Sequence, residues 1–432
     1  MHVEPITCYR PRPEAAATLA SPPYDVFDRA GAEAYLAAHP GSFLSVERPD
    51  AASSPAAGPD APDDVYQVAH DRLADLVNGG SLLRDGTPCF YLYRLEADGR
   101  SQTGVVAACS LDDYSNGIIR RHELTRPKKE DDRVRHIEAT GCQTAPVVLA
   151  YPDNPVLDAL VEAAKTAEPL YDFVDADGVR QTVWRVARPA AVESLRLMFE
   201  HVPCAYVADG HHRAAAAARV CRRMRTEGGE RHTGDEAYNY LLCALFPASR
   251  LHADPYDRVV ADVAGMTEDE LVAALEAQGV SVGPRGERPV RPSRRGAVGM
   301  YAFGAWRELG LPDERPDDPA DALDVSVLQD RVLAGVLGVG DPREDPRLSF
   351  VGGAAEAGEL ERRAGDRGVA FTLFPTSVAE LMAVADAGRL MPPKSTWFAP
   401  KPSSGLFVRR VSNRECVLDG RRRHRGERDD ES

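Results

Sequence analysis

The stretch Tyr206-Val207-Ala208-Asp209-Gly210-His211-His212-Arg213, followed by alanines from Ala214 to Ala218, sets a carboxylate, a glycine, two imidazoles and a guanidinium side by side. The chemistry of that set is anion binding. Cys204 to Ala208 is apolar and β-prone, Asp209-Gly210 supplies a turn, and the alanines favour a helix that starts at the two histidines. A helix start presents N–H groups without intrahelical partners and the positive end of its dipole, and Arg213 adds a forked cation suited to phosphate. Gly210, His211, His212 and Arg213 are the candidate phosphate ligands, and Asp209 is the candidate ligand for Mg²⁺ or substrate. Successive helical side chains point about 100° apart, so the two histidines are poor joint ligands for one metal ion. Mg²⁺ carried by a nucleotide is the expected metal. A capped structural turn is the plainer reading, and Arg213 weighs against it.

A second candidate is Arg121-His122-Glu123-Leu124-Thr125-Arg126-Pro127-Lys128-Lys129-Glu130-Asp131-Asp132-Arg133. Such a run commonly forms a solvated loop before a helix. It also holds both halves of a phosphoryl-transfer site: Glu123, flanked by His122, as general base for a hydroxyl, and Arg126, Lys128 and Lys129 to neutralise a polyphosphate. A third segment runs from Met391 to Pro402, where prolines hold the chain extended. Trp397 and Phe398 would pack an edge on the core, while Lys394, Ser395 and Thr396 could clamp a phosphate or carboxylate.

These residues need elements to hold them. Ser21-Pro22-Pro23-Tyr24-Asp25-Val26 is a stiff extended segment before a short helix over 30–38, and Pro49 to Asp63 is a low-complexity loop. The patterning predicts helices over 65–77, 155–167, 190–199, 267–278, 325–337 and 378–387. It predicts a hairpin of Cys89–Glu96 and Thr103–Leu111 turning at Asp98-Gly99, and strands at 147–151, 183–186, 238–246 and 369–374. Thr267 with Glu270 reads as a capping box, Thr376 or Ser377 as a cap, and Pro284 to Arg295 as a loop or flap. The alternation of strands and helices places the chain in the mixed α/β (α+β) class. The expected division is an N-terminal α+β region over 1–111, a core over 112–250, a C-terminal α+β region over 251–411 and a disordered tail over 412–432.

With 432 residues, 43% of them hydrophobic, the chain can build more than one core, and its formal net charge of −15 disfavours nucleic acid and anionic membranes as partners. The eight cysteines are scattered without a C-x-x-C pair, which disfavours a zinc cluster and suits a reducing compartment. No signal core or membrane-length apolar run is present, so the cytoplasm is the expected location.

Assembled, these motifs resemble the bacterial and archaeal family called domain of unknown function 1015. The resemblance rests on Ser21 to Val26, His122-Glu123 with its Lys-Lys-Glu-Asp-Asp-Arg continuation, Ala208 to Arg213, Tyr238-Asn239-Tyr240 and Pro392 to Thr396. The central region is similar to the nucleotide-dependent free-serine kinases of the ParB/sulfiredoxin-like fold. That likeness implies a mixed-sheet nucleotide-binding core, a phosphate site at Asp209 to Arg213, and Glu123 as base. The reaction it implies is transfer of a phosphoryl group from ATP or ADP, with Mg²⁺, to the hydroxyl of free L-serine or a related hydroxy amino acid, a step in amino-acid metabolism. A homodimer is compatible with it. The alternative is a ParB-like switch that binds CTP or ATP without turning over a metabolite.

Overall fold

The computed structural model describes residues 1–52, 64–353 and 356–411. Most of the low-complexity stretch and the tail after 411 lie outside them, and the first residues of that stretch form a short helix, Pro49–Ala52. The fold is mixed α/β, in two compact units. The first comprises Met1–Ile119, Thr125–Pro247 and the chain from Pro400; the second comprises Arg120–Leu124 and Ala248–Ala399.

A large mixed sheet organises the first unit. Its strands are β1 (Val3–Glu4), β2 (Phe90–Ala97), β3 (Arg100–Ser110), β4 (Ile119–Arg120), β5 (Val147–Tyr151), β6 (Tyr171–Val174), β7 (Arg180–Val186), β8 (Ala205–Asp209) and β9 (Tyr240–Pro247). They lie in the order β4-β8-β5-β9-β3-β2-β7-β6, with β1 alongside β3. The predicted hairpin is β2 and β3, in register from Tyr91↔Val106 to Ala97↔Arg100. β9 runs parallel to β5, and β8 antiparallel to it. β5 and most of β9 are buried along their whole length, which is why they read as unbroken apolar runs.

Two helices matter most for the site, α1 (Pro127–Thr140) and α2 (His211–Gly228). The dense charges after Pro127, for which a solvated loop before a helix is the plainer reading of the sequence, are themselves helical: proline suits the first helical position, and Gly141 ends the helix at φ 66°. In α2, Ala214, Ala216, Ala217 and Ala218 are buried, and their small side chains let the neighbouring chain approach closely. Arg219 pairs with Glu130 at 3.1 Å and Asp131 at 2.7 Å, and Arg223 pairs with Glu138. This register runs upward along both helices, so they lie side by side and point the same way.

Around Ser21 the chain is bridged to Ser404, but Tyr24–Val26 is a 3-10 turn and not an extended strand. Arg133 lies 4.0 Å over the Tyr24 ring, and that contact fixes the turn.

The second unit has a six-stranded sheet of Ser281–Val282, Ala305–Gly310, Ala297–Ala302, Val369–Leu373, Tyr256–Val260 and Leu348–Gly352, in that order. Both predicted caps are present, Thr267 with Glu270 and Ser377 with Glu380, each a reciprocal capping box. The helix expected over 325–337 is split into Asp324–Val327 and a wider π-type segment, Leu328–Ala334. No described helix is long and apolar enough to cross a membrane. The seven described cysteines are buried, and none of them is in a disulfide.

Candidate functional site

At the end of β8 the backbone is built to turn sharply. The pairing with β5 shifts register between Val207 and Asp209, leaving Ala208 as a bulge that re-aims the residue after it. Gly210 follows at φ 96°, a conformation that only glycine adopts without strain, and a Cβ there would meet Arg213 Nε at 3.0 Å. Gly210 is also the N-cap of α2 and offers no side-chain acceptor to the first-turn N–H groups. The bulge and the glycine together set Asp209 beside the helix start.

Asp209 is held from both sides. Its Oδ2 accepts from Arg213 at 2.9 Å and its Oδ1 from the Lys401 ammonium at 2.7 Å. Burial alone would raise this carboxyl, but the Lys401 ammonium, then the Arg213 guanidinium, outweigh it and hold Asp209 well below the usual carboxylate range. Burial likewise pulls the Lys401 ammonium down, and Asp209 and then Asp25 more than offset this, so Lys401 sits above its usual value. Arg213 is braced further by donating to the Pro146 carbonyl at 2.5 Å. The fork expected to reach outward is thus turned back onto Asp209 of its own turn and onto the chain just before β5. A cation at Asp209 has to share the carboxylate with these two partners.

A second helix start meets the first. The backbone N–H of Arg126, the N-cap of α1, donates to His212 Nε2 at 3.1 Å. An N–H can only donate, so His212 Nε2 is the acceptor in this contact. Two parallel helices therefore bring their positive ends to one place, where Lys401 adds a cation and Arg126 and Lys128 are exposed. The donor set suits an anion with several oxygens, such as a polyphosphate. It is less suited to a bare divalent cation, because Asp209 is already neutralised.

The remaining predicted residues fall in the second unit. His122 is buried and its carbonyl accepts from Met391 N at 2.8 Å, and Glu123 belongs to the same Arg120–Leu124 segment. Lys394 adopts φ 58° and lies 5.5 Å from the centre of the Tyr256 ring, while its carbonyl accepts from Arg258. Trp397 and Phe398 form the expected edge strand, paired with Ala253–Asp254.

Sequence reasoning passed over Lys401. It stands between Pro400 and Pro402 in the segment already singled out, and that stiff setting was the signal that could have found it. Asp25, in the Ser21 to Val26 motif, is close enough to Lys401 to act on its charge.

A family described as "Protein of unknown function (DUF1015)" matches residues 3–326. No curated protein matches the chain. Among solved structures, the chain is similar to SbnI with C-terminal truncation from Staphylococcus aureus, at 14% identity and TM-score 0.35, over 70% of this chain and 87% of that one. It is also similar to a free serine kinase in complex with AMP, at 13% identity and TM-score 0.33, over 70% and 92% of the two chains. A conserved hypothetical protein from Pyrococcus furiosus is similar at 12% identity and TM-score 0.31, over 69% and 94%.

Proposed function

We propose that this chain, which belongs to the DUF1015 family, is a small-molecule kinase that moves a phosphoryl group from ATP or ADP to the hydroxyl of free serine or a related hydroxy amino acid. The observation that carries this reading is the meeting of two parallel helix starts at the Asp209 turn, with Lys401 beside them. In this reading the N–H groups at the start of α2 and that of Lys128 at the start of α1 bind phosphate oxygens, and Lys401, Arg126 and Lys128 neutralise charge on the leaving phosphate. Asp209 holds Lys401 and Arg213 in place, and would share its carboxylate with them in holding Mg²⁺. Bound nucleotide supplies the transferable group.

Glu123 is the proposed base, with His122 as its neighbour. It precedes Arg126 by three residues, so chain length alone keeps it within about 11 Å of the α1 cap. As the acceptor oxygen bonds to phosphorus and the bond to the leaving phosphate breaks, the hydroxyl proton passes to the Glu123 carboxylate. Lys394 is a proposed further phosphate or carboxylate ligand.

The test is incubation of the purified chain with ATP, ADP or CTP, Mg²⁺ and a panel of hydroxy amino acids, with mass spectrometry of the amino acids. A phosphorylated acceptor is the expected result. Glu123→Gln should remove turnover and leave nucleotide affinity within about threefold, less than 1 kcal/mol. Tight nucleotide binding with no product from any acceptor refutes the kinase and leaves the nucleotide-binding switch.

A further inference from the structure

A cavity of about 740 Å³ lies in the first unit, walled by the chain from His2 to Tyr9, by Arg84, by the start of β9 at Tyr240, and by Arg409 and Arg410. None of Asp209 to Arg213 lines it. Its size is that of a metabolite site.

The telling residue is Arg409. It is buried at 7% exposure, on a short strand paired with Cys142–Gln143. Its Nη1 donates to the Tyr240 carbonyl at 3.1 Å and its Nη2 to the Ala237 carbonyl at 2.8 Å. Two neutral carbonyls do not balance a buried charge, and a guanidinium has five N–H donors. Among the described residues, no carboxylate pairs with Arg409. Burial accordingly lowers it to about 10, the nearby groups being the thiols of Cys243, Cys142 and Cys109 and the Tyr240 hydroxyl. Arg84 and Arg410 bring two more guanidinium groups to the same lining, against Glu4 and Asp235. Glu4 is engaged by His2 at 2.8 Å, and Asp235 is exposed. The wall is therefore net cationic, and its buried cation faces space for a counter-ion.

We infer that this cavity is a second ligand site, separate from the Asp209 turn, which takes a small polyanion whose carboxylate or phosphate oxygens bind Arg409. A fork of N–H groups suits either kind of oxygen.

The test is titration calorimetry of the full chain with citrate and, separately, with inorganic pyrophosphate, the two arms distinguishing carboxylate from phosphate. The variants are Arg409→Gln, which removes the cation, and Thr7→Trp, which fills the cavity and keeps Arg409 on its two carbonyls. The expected result is one binding equivalent for at least one of the two anions, weakened at least tenfold by either variant and less than threefold by Arg213→Gln. Thr7→Trp guards against misfolding of Arg409→Gln, and a thermal melt identifies that case. Absence of binding by both anions, or wild-type affinity in folded Thr7→Trp, overturns the inference, as does binding lost in Arg213→Gln alone.

Discussion

Replacing Lys401 by Met should cost the first unit about 2–3 kcal/mol. The Lys401 to Asp209 contact is 2.7 Å, and the two side chains are 12% and 17% exposed. At an effective dielectric of 20 the gross attraction is about 6 kcal/mol, before the desolvation of both charges is subtracted. Removing one partner of a buried pair typically costs about 3–5 kcal/mol, and here Arg213 remains to share the carboxylate, so the lower figure applies. The melting temperature should fall by about 5–10 °C, at roughly 2–4 °C per kcal/mol. A cycle of Lys401→Met, Asp209→Asn and the double variant in urea, monitored by a probe in the first unit, should give a coupling of about 2 kcal/mol. The pH dependence has a definite sign. Asp209 is depressed in the folded chain, so its contribution is complete above its ordinary value of 3.8 and is lost as pH falls below that. In Lys401→Met the carboxyl is less depressed, so the loss should be smaller and should end at higher pH. A coupling under about 0.5 kcal/mol, or a pH profile unchanged by the substitution, refutes the claim that Lys401 holds the turn together.

Gly210→Ala should destabilise by at least about 1–2 kcal/mol from its left-handed backbone, and weaken nucleotide binding at least tenfold by pushing Arg213 away, as read by melting and calorimetry. Glu47→Gln breaks a buried pair with Arg133 at 3.1 Å, side chains 2% and 6% exposed, and should cost about 3 kcal/mol in urea unfolding. Arg219→Ala removes two ion pairs from a side chain 39% exposed, so its effect on the melt should stay under about 1 kcal/mol.

Much of the site was legible because its parts are local. The strand, the Asp-Gly turn and the alanine-rich helix each follow from short-range preference, and α2 begins at His211 where the sequence places it. The hairpin turn and both capping boxes are legible for the same reason. What escaped depends on contacts between distant residues. The bulge at Ala208 exists only in the pairing with β5, and no local pattern marks it. The charge run after Pro127 looked like solvated loop because its partners Arg219, Arg223 and Glu47 lie far along the chain. Arg213 looked free to bind phosphate because its own acceptor, Pro146 O, is 67 residues away. The division into units was similarly hidden, since the first unit is completed only by the chain from Pro400.

That last return of the chain has a consequence during synthesis. Lys401 follows Asp209 by 192 residues, and all of Ala248–Ala399 must emerge from the ribosome between them. At about 5–20 residues per second, the turn waits roughly 10–40 s for its second cation. Until then Asp209 has Arg213 alone. A truncated chain that stops anywhere within Ala248–Ala399 has the strand, turn and helix but lacks the lysine that completes them. Translation is thereby linked to competence: the proposed phosphate site comes together only after the whole of Ala248–Ala399 has been made.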